Sequence, residues 1–472
     1  MQSSSTAATT GHAGQLESTS TILCRLIILR YSNSEALMIE QGGRHAIPSV
    51  DIPRWQRAAP HIVPAVLSRC NVLAICRFAV GVQNPEHECH YFVLDAVDSS
   101  QPATGGTVWV PVGNIAWADS ESRIGQEAFY EALRQARSYD MAEPPVPFTK
   151  SRWFGEVTDW TRYHLHSQQL NLSGGWTQYN LGPLFSLIRY ETDGLPVWFK
   201  AVGGPNLREY GITIELAKLH SAYLPKVLAV HPDWHGWLML DANGHSLDET
   251  ADFEHWKIAA QSLAEFQIQS VPACGSLLIT GCEDQRIAEL RCRVAPFLTT
   301  VARLMEMQPA SPPRILTAED LRLVGIQLRG ALDEFEALGM PDTIGHSDLN
   351  PGNVQVTKDG TVFLDWMQGH VGHPFVTFEY LLALLVRLRP DREGWQAELR
   401  DIYRRSWSSV TSEAHVIRAL ELTPLIAPFT FAVSCTGWNE DVQNMSPVLQ
   451  KLLRTLARKM YVATQRRTTS AP

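Results

Sequence analysis

The eight cysteines of this 472-residue chain include no Cys-x-x-Cys pair. That excludes a disulfide scaffold or a zinc ribbon, and the thiols read as buried, reduced side chains of a cytoplasmic protein. An excess of positive charge is missing too. Lysine and arginine number 40 against 49 aspartates and glutamates, a formal charge of −9. The balance is 10 to 14 up to residue 147 and 30 to 35 beyond it, so neither part offers the basic surface that nucleic-acid phosphates require. Long apolar runs are also lacking. Ile22–Leu29 is broken by Arg25, and Leu425–Val433 is short and contains Pro428, so no membrane partner is expected. The first 20 residues carry no Lys or Arg, which leaves no charged secretory n-region. No repeat at the roughly 20–50-residue period of solenoids is visible.

What is present is an ordinary globular composition, 45% hydrophobic and 19% charged, with length for several domains. A polar tail, residues 1–20, reads as disordered. Residues 21–143 read as a mixed α/β domain. Thr21–Arg30 and Ala36–Gln41 form a hairpin around Tyr31–Glu35, Trp55–Arg69 is helical despite Pro60 and Pro64, Val72–Val80, Tyr91–Val97 and Val108–Val112 are strands, and Glu121–Arg137 is an amphipathic helix. Pro144-Pro145-Val146-Pro147 opens a stiff linker, residues 144–150. Residues 151–465 then form the largest part. Leu181–Tyr190, Pro196–Ala201, Lys226–Val230 and Gly236–Leu240 are strand-like around a helix at Leu207–Ser221. From Leu247 to Met340 the pattern is helical, followed by a hairpin of Val354–Val356 and Val362–Leu364 and further helices. The fold class is α+β: a small β-rich lobe, then a large helical lobe, preceded by a smaller α/β domain.

The strongest chemical signal is His346-Ser347-Asp348-Leu349-Asn350-Pro351-Gly352-Asn353. It matches H-x-D-L-x-x-x-N, the catalytic loop of kinases, in which Asp accepts the hydroxyl proton and Asn binds Mg²⁺. The following hairpin carries Asp365 twelve residues after Asn353, at the open end. Two hard oxygen donors converging there, with phosphate oxygens and water completing the shell, suit Mg²⁺. Phosphoryl transfer further needs a cation on the nucleotide phosphates, fixed by an acid. Lys200 ends a strand, and the helix after it offers Glu209 and, in competition, Glu215.

Weaker candidates have plain alternatives. Ser173-Gly174-Gly175 is a turn over the phosphates or an ordinary β-turn. Gly236–Asp241 is an edge strand whose backbone meets an adenine ring, or a core strand. His87, Cys89 and His90 read as a surface loop, because no second ligand pair stands at metal spacing. His370 and His373 face substrate or cap a turn. Trp153, Phe154 and Trp160 are core packing rather than a stacking platform.

On these residues, the segment from about Leu170 to Val462 resembles the aminoglycoside phosphotransferase and choline kinase-like family, whose fold is bilobal and protein kinase-like. The resemblance implies Asp348 as base, Asn353 and Asp365 as Mg²⁺ ligands, Lys200 on the α/β-phosphates of ATP with Glu209 as its partner, and His346 bracing the loop. Ser347 stands where the family usually has Gly, and Asn350 where relatives often have His. Trp366-Met367-Gln368-Gly369 follows Asp365, with no Phe-Gly and no later Ala-Pro-Glu, so the peptide-docking segment of protein kinases is missing. A small hydroxylated molecule is the expected acceptor, and ATP and Mg²⁺ are the expected cofactors. The competing reading is a catalytically silent nucleotide-binding or scaffolding module. Residues 21–140 loosely resemble a Nudix-like fold without its Glu-rich helix, which implies a binding or packing module.

Overall fold

A computed structural model describes residues 21–54, 56–81, 89–98, 102–141, 146–180, 182 and 184–469. Trp55, His87, Pro144, Pro145, Leu181 and the tail 1–20 lie outside the described residues. The chain divides into two compact units. The described residues of one are 21–210 and 226–241, and those of the other are 211–225 and 242–469.

The first unit opens with β1 (Thr21–Arg30), β2 (Glu35–Gln41), β3 (Arg44–Ala46), β4 (Ser49–Pro53), α1 (Ala59–Cys70), β5 (Ala74–Val80), β6 (Cys89–Ala96), β7 (Thr107–Pro111) and α2 (Arg123–Met141). Seven strands form one mixed sheet in the order β3-β2-β1-β6-β5, with β4 on β1 and β7 on β2. β1 runs parallel to β6 and explains its own apolar run. Cys24, Leu26 and Ile28 pack with α1 on one face, Ile27 and Leu29 with α2 on the other. The hairpin of β1 and β2 forms as expected, pairing Leu29 with Ala36. α1 starts at Ala59, later than the sequence suggests, because Pro60 occupies the first turn, where a missing N–H costs nothing. Cys89 and His90 belong to β6 rather than to a loop.

Next come α3 (Trp153–Ser167) and an antiparallel sheet of β8 (Leu172–Asn180), β9 (Phe185–Thr192), β10 (Val197–Val202), β11 (Val227–His231) and β12 (Gly236–Leu240), with α4 (Leu207–Leu219) after β10. The strand order is β11-β12-β10-β9-β8. β12 is therefore an inner strand, not the edge strand expected from sequence. β8 is the strand the sequence hides. Its residues are polar and include Gly174 and Gly175, so it lacks the β-branched alternation that marks a strand. Ser173-Gly174-Gly175 consequently lies within β8 rather than in a turn. Along β10, Val197, Phe199 and Ala201 face a core containing Trp153, Phe154, Ile188, Tyr190 and Leu238. Trp160 packs at its margin, so the aromatic group is core. Val146 and Phe148 are buried in the same core, so the described end of the 144–150 stretch is packed rather than a spacer.

The second unit contains β13 (His245–Ser246), α5 (Phe253–Ser270), α6 (Cys274–Thr280), β14 (Glu283–Gln285), α7 (Ile287–Glu306), α8 (Ala318–Ala337), β15 (Thr343–His346), β16 (Val354–Thr357), β17 (Gly360–Phe363), β18 (Gly369–Gly372), α9 (Pro374–Leu388), α10 (Glu393–Trp407), α11 (Glu413–Ser434) and α12 (Pro447–Thr469). Two small sheets, β13-β16-β17 and β14-β18-β15, are set in one helical core. β14 interrupts the helical stretch because its Glu-Asp-Gln pairs in parallel with β18. α11 is long and apolar enough to cross a membrane, and 61% of its most apolar window is buried inside the protein. Among the cysteines, Cys24, Cys70, Cys76 and Cys282 are buried, whereas Cys292 is exposed.

Candidate active site

Alternation along β10 sends Trp198, Lys200 and Val202 to the face opposite the aromatic core. Lys200 pairs across the strands with Leu187 of β9 and Trp237 of β12. Its ammonium lies 5.0 Å from the Phe185 ring centre and 5.8 Å from that of Trp237. Lys200 is 6% exposed, a position that an isolated charge would not tolerate. Glu209, 1% exposed in the first turn of α4, meets it with Oε1 2.5 Å from Nζ. The structure thus pairs Lys200 with Glu209, not with Glu215.

In the other unit the loop after β15 is held by its own polar groups. His346 Nδ1 accepts from the Asp348 N–H at 3.2 Å, which leaves the proton on Nε2 to be donated to Leu364 O at 2.9 Å. Burial pushes His346 below the usual imidazole range, consistent with that neutral tautomer. One buried ring therefore ties Asp348 to the residue preceding Asp365. Asn353 Nδ2 donates to Asp348 O at 3.0 Å, and Leu364 N donates to Asn353 O at 2.9 Å. These bonds set Asn353 beside the end of β17, where Asp365 follows with φ 63°.

Burial raises the Asp348 carboxyl above the ordinary carboxylate range, and the Asp365 carboxylate pushes the same way, against His346, a hydrogen bond from Asn350, and Arg387. Repulsion between Asp348 and Asp365 is what a divalent cation would offset. With Asn353 Nδ2 already committed, the side-chain oxygen of Asn353 and the Asp365 carboxylate are the groups that could hold Mg²⁺ together with phosphate and water. Among the described residues, no group of three or more His, Cys, Asp or Glu converges as a metal cage.

Sequence reasoning treated Asn350 as a bystander, yet its Nδ2 donates to Asp348 Oδ1. The available signal was the two-residue spacing, at which Asx side chains often bond locally. Ser347 Oγ lies 3.0 Å from His370 Nδ1, both buried. The His370 ring in turn covers Gly345, where a Cβ would meet Nε2 at 2.1 Å, so only glycine fits. His373 caps α9, accepting from Phe375 N, and stacks on Phe335 with ring centres 3.9 Å apart. Both histidines are buried, so neither is an open substrate contact.

No protein-family model matches this chain, nor does any curated protein. Solved structures do. A macrolide 2′-phosphotransferase from Brachybacterium faecium is similar at 14% identity and TM-score 0.38, over 64% of this chain and 98% of its own. A choline/ethanolamine kinase family protein from Mesorhizobium loti has 14% identity and TM-score 0.40, over 67% and 96%. The choline kinase of Streptococcus pneumoniae has 13% identity and TM-score 0.39, over 65% and 99%. The Nudix likeness of the N-terminal segment is not borne out.

Proposed function

We propose that the protein is a phosphotransferase that moves the γ-phosphate of ATP to a hydroxyl group of a small molecule. The observation that supports this reading is the loop in which His346 and Asn353 tie the Asp348 backbone to Leu364, the residue before Asp365. A buried Lys–Glu pair contributes little net stability to a fold, so the Lys200–Glu209 pair is better explained by chemistry. Asp348 would accept the acceptor's proton as its oxygen bonds to the γ-phosphorus. The bond from that phosphorus to the β-bridging oxygen breaks, and ADP leaves. Asn350 fixes the rotation of the Asp348 carboxylate, and Lys200, steadied by Glu209, binds the nucleotide phosphates. Mg²⁺, held by the side-chain oxygens of Asn353 and Asp365, would neutralise phosphate charge. The missing Phe-Gly and Ala-Pro-Glu elements favour a small acceptor over a peptide.

Asp348→Asn should bind ATP as the wild type does and lose phosphate transfer by about 10²–10⁴-fold or more, measured across a panel of hydroxylated metabolites. Turnover at the wild-type rate would remove Asp348 from the chemistry. A wild type that binds ATP and phosphorylates no acceptor would be a nucleotide-binding module instead.

A further inference from the structure

The edge of the seven-stranded sheet is closed by a side chain. Gln178 of β8, 2% exposed, accepts from Cys76 N at 2.9 Å and donates to Cys76 O at 2.8 Å, as a neighbouring strand would along β5. Trp176, two residues earlier, packs against both the α1-side core and the aromatic core. Arg77, buried on β5, donates to Thr149 O at 2.8 Å and pairs with Asp140 at 3.1 Å. Asp95 of β6 accepts from Arg152 N at 2.7 Å at the start of α3. These contacts fix the N-terminal sheet to the sheet that bears Lys200, within one unit.

That docking delivers an arginine. Arg57, in the connection between β4 and α1, is exposed, and its guanidinium carbon lies 5.7 Å from the Phe185 ring centre. Among the described residues no carboxylate pairs with it. Phe185 is the first residue of β9, and Asn180 Nδ2 at the end of β8 donates to its carbonyl at 2.7 Å. The same ring carries the Lys200 ammonium at 5.0 Å. Two cations therefore share one aromatic ring, and Glu209 offsets only one of them, leaving local positive charge at the start of β9. A guanidinium at the edge of cation–π range of a ring, and exposed, keeps its N–H groups available, and its fork is the geometry that binds phosphate oxygens in pairs.

We propose that Arg57 is a nucleotide-phosphate ligand of this protein, which makes the N-terminal sheet a working part of the nucleotide site. The inference rests on the phosphotransfer reading above and adds a residue from outside the kinase-like segment to it.

Titration calorimetry with ATP, ADP and adenosine, each with Mg²⁺, on wild type, Arg57→Ala and Arg57→Lys tests it. Loss of a charge-assisted bond predicts roughly 10- to 100-fold weaker ATP and ADP binding by Arg57→Ala, unchanged adenosine binding and partial recovery in Arg57→Lys. Arg57 is exposed, so the melting point without ligand should not move. Wild-type ATP affinity in Arg57→Ala overturns the assignment and leaves the phosphotransfer reading intact. An equal loss for adenosine and ATP also overturns it, because Arg57 would then support the site as a whole rather than bind phosphate. A wild type that binds none of the three ligands overturns both readings.

Discussion

His373 is 5% exposed, stacked on Phe335, and bonded through Nδ1 to the start of α9. Burial pushes its pKa down to about 3. The unfolded chain protonates near 6.5, so the neutral ring favours the folded state. Its contribution is complete above about pH 6.5 and is lost as pH falls toward 3, with a slope approaching about 1.4 kcal/mol per pH unit for this one proton. His373→Asn keeps an acceptor for the cap and removes the titration. Between pH 7 and pH 5 the wild type should lose up to about 2 kcal/mol more stability than this variant, whatever their difference at pH 7. Parallel acid limbs in urea unfolding would show that the ring protonates without cost. Residues of this kind mark what a sequence discloses. Asp348, Asn353 and Asp365 are legible because an octapeptide and a short hairpin hold them in one window. The alternative roles of His370 and His373 were not separable, since burial and capping depend on Phe335 and Ser347 from distant elements.

At the scale of elements, the strict alternation of β10 announces both its buried face and its lone lysine, whereas β8 announces nothing. β8 is polar, contains two glycines, and is stabilised by pairing with β9 and by a side-chain contact 102 residues away in sequence. No local window holds that information. The charged β14 was hidden for the same reason, because its partner β18 lies far along the chain. The Gln178–Cys76 contact also has an energetic consequence. Gln178→Leu fills similar space but strands the buried N–H and C=O of Cys76, at a cost of about 1–3 kcal/mol for each unpaired group. A lowered urea midpoint is expected, together with faster amide exchange along β5. Unchanged midpoint and exchange would mean that water replaces the amide and that the sheet edge does not depend on Gln178.

For the whole molecule, the order of pieces was readable from N to C terminus because hydrophobic period changes from two to 3.6 along the chain. A sheet-rich first part and a helical second part follow from it. The parallel pairing of β1 with β6 was not readable, since parallel strands need a long connection and any apolar run of similar length is a rival partner. Function at this scale is tested through ligand linkage. A ligand that binds only the folded state at 100 times its dissociation constant adds about 2.7 kcal/mol, visible as a rise in melting temperature. If Asn353 and Asp365 hold Mg²⁺ against the nucleotide, the wild type should gain markedly more from ATP with Mg²⁺ than from ATP with a chelator. Asp365→Ala should respond equally to both. A metal-dependent gain that persists in Asp365→Ala would place the metal on the nucleotide alone. The hairpin carboxylate would then lose its assigned role while ATP binding stands.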